Sequence, residues 1–270
     1  MRLVDGVPAG SVAADDRGLT YGDGLFETIA VLAGRPQRLT AHFERLEHGA
    51  GRLRIPLPPR TLLEAELQAV CDGLDSGVAR LVLTRGCGPR GYRPPVDPRP
   101  TRIVSAEPVA GVLARTERPL RTTLCATRLA CNPQFAGLKH LNRLEQVMAA
   151  AELLEGRHEE GLMLSTDGRL IGATQGNLFL VRAGRLYTPD LRDCGVAGTM
   201  RAATLAAAQA AGIEAIVADL GIERLREADG AFVCNAVRGL RPLAGVEDLV
   251  HWPQPHRVCD HLRVLLGLPG

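Results

Sequence analysis

Ala136-Gly-Leu-Lys-His-Leu-Asn-Arg-Leu-Glu-Gln-Val147 contains the one lysine of this chain, Lys139. The sequence has thirty-two basic side chains, so the other thirty-one are arginines. Wherever positive charge suffices, arginine is used; Lys139 must therefore supply what a guanidinium cannot. A guanidinium stays protonated in proteins, whereas a partly buried lysine amine gives up its proton readily. The neutral amine can attack a carbonyl and form a Schiff base. Lys139 is thus a candidate catalytic amine, set just before an apolar pattern that predicts a helix from His140 to Leu154. Leu141, Leu144, Val147 and Met148 would form its buried stripe.

Composition narrows the alternatives. At 270 residues the chain suffices for one large domain or two modest ones. Apolar residues at 46% and charged residues at 23% are ordinary for a globular protein. Aromatics at 3% are too sparse for a platform that stacks single-stranded nucleic acid. The +2 net charge comes from basic and acidic residues scattered along the chain, so no polyanion partner is expected. Seven cysteines (Cys71, Cys87, Cys125, Cys131, Cys194, Cys234, Cys259) include no C-x-x-C pair, which argues against a disulfide framework or a zinc site. With no signal-peptide core and no apolar run of membrane-spanning length, the expectation is a cytoplasmic protein.

Taken in order, Leu3 to Ala9 predicts a hairpin turning at Asp5-Gly6. Asp15 to Gly24 is rich enough in glycine and aspartate to predict irregular chain. A strand follows at 25–32, then a turn at 33–36. Thr40 is the expected N-cap of a helix carrying Phe43, Leu46, Ala50 and Leu53 on one face, and Arg45 lies between those positions. A second helix is expected from about Pro59 to Leu74 and a strand at 78–84.

Gly86-Cys-Gly-Pro-Arg-Gly91 matches the dinucleotide fingerprint G-x-G-x-x-G. Four prolines among the next nine residues, Tyr92 to Pro100, cannot open the helix that a pyrophosphate requires, so that reading is rejected. The stretch is expected to be a surface loop presenting Arg90, Tyr92 and Arg93. Beyond a strand at 102–106, residues 108–117 read as a linker between a small N-terminal domain, 1–107, and a larger C-terminal one, 118–270. The second half predicts strands at 120–128, 162–165, 169–171 and 177–181, the last three as an antiparallel set. An alanine-rich helix follows, opened by Gly195-Val-Ala-Gly-Thr199. Strands at 213–217 and 231–234 flank a short helix at 222–227, and a last helix runs from about Pro255 to Leu266. Strands occur in runs rather than in strict alternation with helices, which predicts an α+β class with two domains.

A Schiff-base lysine implies an aldehyde cofactor, and a phosphorylated one needs a helix N-terminus or an arginine to hold it. Asp16 to Glu27, Arg45-Leu46, Thr84 to Tyr92, Gly137 to Gln146, Asn177-Leu-Phe179 and Cys234-Asn-Ala236 together resemble the fold-type IV, class IV aminotransferase-like pyridoxal phosphate enzymes. Within that group, T-R-G-x-G-x-R-G-Y and K-H-L-N-R-L-E-Q are most similar to the 4-amino-4-deoxychorismate lyase family. The resemblance covers nearly the whole chain in order. It implies a D-amino-acid aminotransferase-like two-domain fold, a homodimer, and a cofactor, pyridoxal 5'-phosphate, between the domains. It further implies that Lys139 carries the cofactor and serves as proton-transfer base, and that Arg45, the backbone of Val196 and Ala197, and the Asn235 side chain hold the phosphate. Arg90 and Tyr92 fall on the substrate loop, with Arg90 near a substrate carboxylate.

One position departs from the pattern. The family's glutamate five residues before the asparagine of N-L-F, which pairs with the pyridine nitrogen, is Gly172 here. A weaker electron sink is expected. That suits an elimination that creates an aromatic ring better than a transamination. The alternatives are a D-amino-acid or branched-chain aminotransferase of the same fold, and a silenced homologue that only binds. Asp15 and Asp16 are expected to shape their loop with Arg17. His42 and His140 are expected to be structural.

Overall fold

The computed structural model describes residues 1–8, 10–115, 118–154, 156 and 158–269. It divides into two compact units, Met1–Val112 with Leu138–Asn142, and Leu113–Gly137 with Arg143–Gly270.

The first unit contains β1 (Arg2–Val4), β2 (Val7–Pro8), α1 (Arg17–Tyr21), β3 (Gly24–Leu32), β4 (Arg35–Pro36), α2 (Leu39–Leu53), α3 (Arg60–Cys71), β5 (Ser76–Thr84) and β6 (Arg102–Pro108). All strands are antiparallel, in the order β2-β1-β6-β5-β3-β4. Alternate residues of β3 and β5, among them Leu25, Ile29, Ala79, Leu81 and Leu83, enter one core. Phe43, Leu46 and Ala50 of α2, and Leu63 and Leu67 of α3, close it from the helical side. The helical spacing in the sequence located these faces correctly.

Two expectations fail here. Asp15–Gly24 is not irregular: it holds α1, whose N-cap Asp16 accepts from Gly18 N and whose C-cap Gly22 is left-handed. A five-residue helix has too few positions to display a period, so its apolar pattern is silent. Thr40 is not the cap of α2, because the chain enters that helix through Arg38 in the left-handed region.

The second unit contains β7 (Leu120–Leu124), α4 (Leu144–Glu152), β8 (Glu160–Leu164), β9 (Leu170–Ala173), β10 (Asn177–Arg182), β11 (Arg185–Pro189), α5 (Thr199–Ala210), β12 (Ala215–Ala218), α6 (Glu223–Glu227), β13 (Gly230–Asn235), β14 (Gly239–Val246), β15 (Val250–His251) and α7 (Arg257–Leu265). Its sheet runs β12-β11-β10-β13-β14-β7-β8-β9, with β15 on β14. The pairs β11–β12, β14–β7 and β7–β8 are parallel, so the sheet is mixed.

β8 and β9 are antiparallel as expected, but β10 pairs with β11 and β13 instead of β9. Leu162, Leu164, Leu178, Leu180, Val233, Leu243 and Trp252 form the main core of this unit. Phe179 and Phe232, opposite each other in register, stack at 5.0 Å. The helix expected from His140 begins at Leu144 and ends at Glu152. Its apolar stripe does not face inward: Leu144, Val147 and Met148 are 77%, 59% and 57% exposed, and Ala149 is the buried residue.

Candidate active site

Lys139 lies on an extended strip of the first unit, fastened to the start of β3. Phe26 N donates to Lys139 O at 3.0 Å, Leu141 N donates to Gly24 O at 3.0 Å, and Leu25 and His140 form an antiparallel bridge. Asn142 Nδ2 donates to Gly22 O at 3.0 Å. Three residues of a strip paired to a central strand leave the Lys139 backbone little freedom, so its side chain is aimed rather than merely tethered. The side chain is half-buried, and Nζ lies 4.2 Å from the centroid of the Phe26 ring. At that distance the amine lies in cation–π range of the ring, and the aromatic surface limits its access to water.

The next residue of β3, Glu27, organises Arg45. Arg45 donates from Nε to Glu27 Oε1 at 2.8 Å and from Nη2 to Oε2, a side-on pairing that fixes the plane of the guanidinium. His42 Nδ1 meets the same carboxylate, and its Nε2 is buried without a partner among the described residues. Burial pushes the Glu27 carboxyl up, but Arg45 and His42 outweigh it and hold the group below the usual range. Glu27 and His42 were not visible as a unit in the sequence, where they stand fifteen residues apart.

In the second unit, the turn before α5 bends around the strip that precedes the lysine. Gly137 N donates to Gly195 O at 2.9 Å and Ala197 N donates to Gly137 O at 3.0 Å. Asn177 Nδ2 donates to Val196 O at 2.9 Å. The Ala197 amide thus faces Gly137 within this turn. Further donors lie one step later. The Gly198 N-cap makes no side-chain capping bond, and Thr199 Oγ1 is buried without a partner among the described residues. An uncapped helix N-terminus beside an orphaned hydroxyl is a seat for a dianion.

Asn235 ends β13 of the same unit. Its Nδ2 donates to Gln175 O at 3.0 Å, and its Oδ1 accepts from Val237 N at 3.0 Å and Arg238 N at 2.7 Å. The side chain ties a turn together. Arg90 is exposed and Tyr92 is 85% exposed, both on the long connection between β5 and β6.

Gly172 is buried on β9, opposite Met163. A Cβ there would stand 2.9 Å from Gly176 O, so any side chain needs the local backbone to move. The buried carboxylate of this hairpin is Glu160 on β8. It accepts from Thr174 Oγ1, and from Thr174 N and Gly161 N at 3.1 Å each. Burial raises its pKa, and these hydrogen bonds and Arg241 offset only part of the rise.

Residues 24–246 match the family model for amino-transferase class IV. The chain is 37% identical over 248 residues to an aminodeoxychorismate lyase of Vibrio harveyi, covering 91% of each. It superposes on the crystal structure of 4-amino-4-deoxychorismate lyase from Pseudomonas aeruginosa with a TM-score of 0.90 and 46% identity, covering 98% of each chain. The branched-chain amino acid aminotransferase of Escherichia coli shares the fold at 22% identity and a TM-score of 0.86, covering 97% of this chain and 91% of that one.

Proposed function

The chain belongs to the class IV amino-transferase family, and on that premise we propose that it is a pyridoxal phosphate-dependent lyase converting 4-amino-4-deoxychorismate to 4-aminobenzoate and pyruvate. The observation that carries this reading is the chain's one lysine, held by its backbone on β3 with Nζ over Phe26. The similarity to two aminodeoxychorismate lyases supports it. Such an activity supplies the aminobenzoate part of folate.

The residues fit the cofactor. A dianionic phosphate suits the first turn of α5, where the Thr199 hydroxyl has no partner among the described residues. In the first unit Arg45, its plane set by Glu27, is an arginine of the kind that pairs with phosphate. Pyridoxal phosphate, when bound through its aldehyde, supplies the electron sink that acidifies the substrate carbon bearing nitrogen. Lys139 Nζ would hold the cofactor by its aldehyde carbon, and as a free amine it would take the proton from C4 of the substrate as the C3–O bond breaks; the enolpyruvate released takes up a proton to become pyruvate. Arg90 and Tyr92 are the residues we assign to the substrate, Arg90 to a carboxylate.

Gly172 offers no carboxylate to a pyridine nitrogen. The lyase reaction tolerates this because forming the aromatic product supplies much of the driving force, whereas transamination has no such help. We assign the protein to the cytoplasm, and its assembly as a homodimer with the apolar face of α4 as shared surface. Among the described residues no helix is long and apolar enough to cross a membrane.

The test is the holoenzyme with aminodeoxychorismate, following aminobenzoate and pyruvate, beside Lys139→Arg. The variant keeps the charge and loses the nucleophile, so its rate should drop by roughly a thousandfold or more. Full activity in Lys139→Arg overturns the reading. Transaminase turnover comparable with the lyase rate overturns the role given to Gly172.

A further inference from the structure

We propose that Arg17 is a positioning residue for the substrate, acting as a clamp on the loop that carries Arg90 and Tyr92. The inference rests on reading that loop as the substrate loop. It starts from a problem of physics. The connection from Thr84 at the end of β5 to Arg102 at the start of β6 is long and proline-rich, and its tip has almost no apolar anchorage: Tyr92 and Val96 are among the most exposed apolar side chains of the protein. Such a loop holds one conformation only if polar contacts hold it.

α1 supplies those contacts from both ends. Asp16, fully buried, accepts from Thr84 Oγ1 at 2.9 Å and Thr101 Oγ1 at 2.7 Å, one residue on each side of the loop. Arg17 then holds the loop itself. Its backbone N donates to Gly86 O at 3.0 Å, where a Cβ on Gly86 would stand 1.8 Å from Arg99 O and where φ is +82°. Its guanidinium is buried, with Nε on Asp23 at 2.9 Å. Nη1 and Nη2 donate to Gly91 O at 3.1 Å and Tyr92 O at 2.9 Å, and Nη1 lies 3.5 Å from Arg93 O. One turn on, Tyr21 Oη accepts from Gly91 N at 3.1 Å and its ring meets the Tyr92 ring at 5.4 Å. Asp23, which orients Arg17, is itself gripped by Arg85 through Nε at 2.7 Å.

A planar guanidinium with fixed donors can satisfy consecutive carbonyls in a way a flexible ammonium cannot. The backbone of residues 91–93 is thus fixed by one side chain, and Arg90, immediately before it, is presented in a set position. Arg17 touches no reacting atom in this scheme. Its effect is on how often Arg90 and Tyr92 stand ready, which enters KM rather than the chemical step.

The experiment uses the holoenzyme and two readouts. The first is tryptic nicking of the native chain at Arg90–Gly91; Arg93 and Arg99 precede proline and resist the protease. The second is the KM and kcat for aminodeoxychorismate. Arg17→Met should be nicked roughly tenfold faster and show a KM raised roughly tenfold, with kcat within about twofold; Arg17→Lys should fall between. Should Arg17→Met fail to fold, Tyr21→Phe carries the same test with smaller shifts, about threefold. Unchanged nicking overturns the clamp. Faster nicking with unchanged KM, or a loss confined to kcat, overturns the positioning role. If the wild-type enzyme has no lyase activity, the functional reading fails by itself, and the nicking rates still decide whether Arg17 clamps the loop.

Discussion

Glu27 is where a single residue decides most. It is 1% exposed and holds Arg45 and His42 at once, so removing its charge strands a buried guanidinium and an imidazole together. Glu27→Gln should destabilise the protein by about 2–3 kcal/mol in urea unfolding at neutral pH. It should also speed loss of cofactor on dialysis, because Arg45 is no longer held in plane. The pH dependence follows from the direction of the shift. The folded carboxyl lies below its ordinary range, so its stabilisation is present above about pH 4.5 and is lost as pH falls through the folded value. The gap between wild type and variant should be flat from pH 8 to about 5 and narrow below that; a gap that widens in acid would refute the assignment. Cysteine reactivity separates by burial in the same way. Burial pushes the thiols of Cys125, Cys194, Cys234 and Cys259 up to about 12 and that of Cys71 to about 11. Only Cys87 and Cys131 are exposed, and Cys87 is shifted up by partial burial and by Asp15 and Asp16. With a disulfide reagent at pH 8 two thiols should react before denaturation, Cys131 ahead of Cys87; release of more than two from the native protein would contradict this burial.

Among the elements, the β8–β9 hairpin makes the clearest wager. Glu160 is buried with its carboxyl raised, chiefly by desolvation. For an acid the sign runs opposite to Glu27: stability falls as pH rises from the unfolded value through the folded one, and the penalty is complete above it. Glu160→Gln keeps an acceptor for Thr174 and removes the buried charge. Its melting temperature should equal or exceed wild type at pH 8, by a margin that shrinks toward pH 4; a large loss at pH 8 would mean that the charge itself is needed. The elements that were legible in the sequence are those with one face in a core. β3, β5 and α2 show their periods because Leu25, Ile29, Leu81, Phe43 and Leu46 all point the same way. α1 was illegible because it is short and is held by hydrogen bonds that Asp16 accepts from Thr84 and Thr101, far along the chain. α4 was half legible: the spacing of Leu144, Val147 and Met148 announces a helix, but no period says whether its apolar side meets a core or stays open.

Over the whole molecule, the site divides in the same manner. Lys139 stood out because composition singles it out, and the order of motifs named its family. Glu27, Thr199 and Glu160 did not stand out, since each acts through a neighbour that only folding supplies. Nor does a linear reading show that residues 138–142 belong with the first unit. The same logic turns the misread face of α4 into a prediction. Leu144, Val147 and Met148 together leave an apolar surface uncovered, with Leu154 beyond the helix 85% exposed. Isolated exposed apolar residues are ordinary, but a contiguous helical stripe marks a surface that something covers, and we assign it to a second copy of the chain. Light scattering of the purified protein should then give twice the 28.8 kDa chain mass. The double variant Val147→Asp, Met148→Glu puts two charges per protomer into that surface, four in the pair, where none can be solvated. Its dissociation constant should rise roughly a hundredfold or more, which is about 2.7 kcal/mol, while the fold of each chain, judged by far-UV circular dichroism, stays intact because these side chains touch solvent in the isolated chain. A wild-type mass of one chain, or a dimer indifferent to both charges, would show that α4 is not the shared surface.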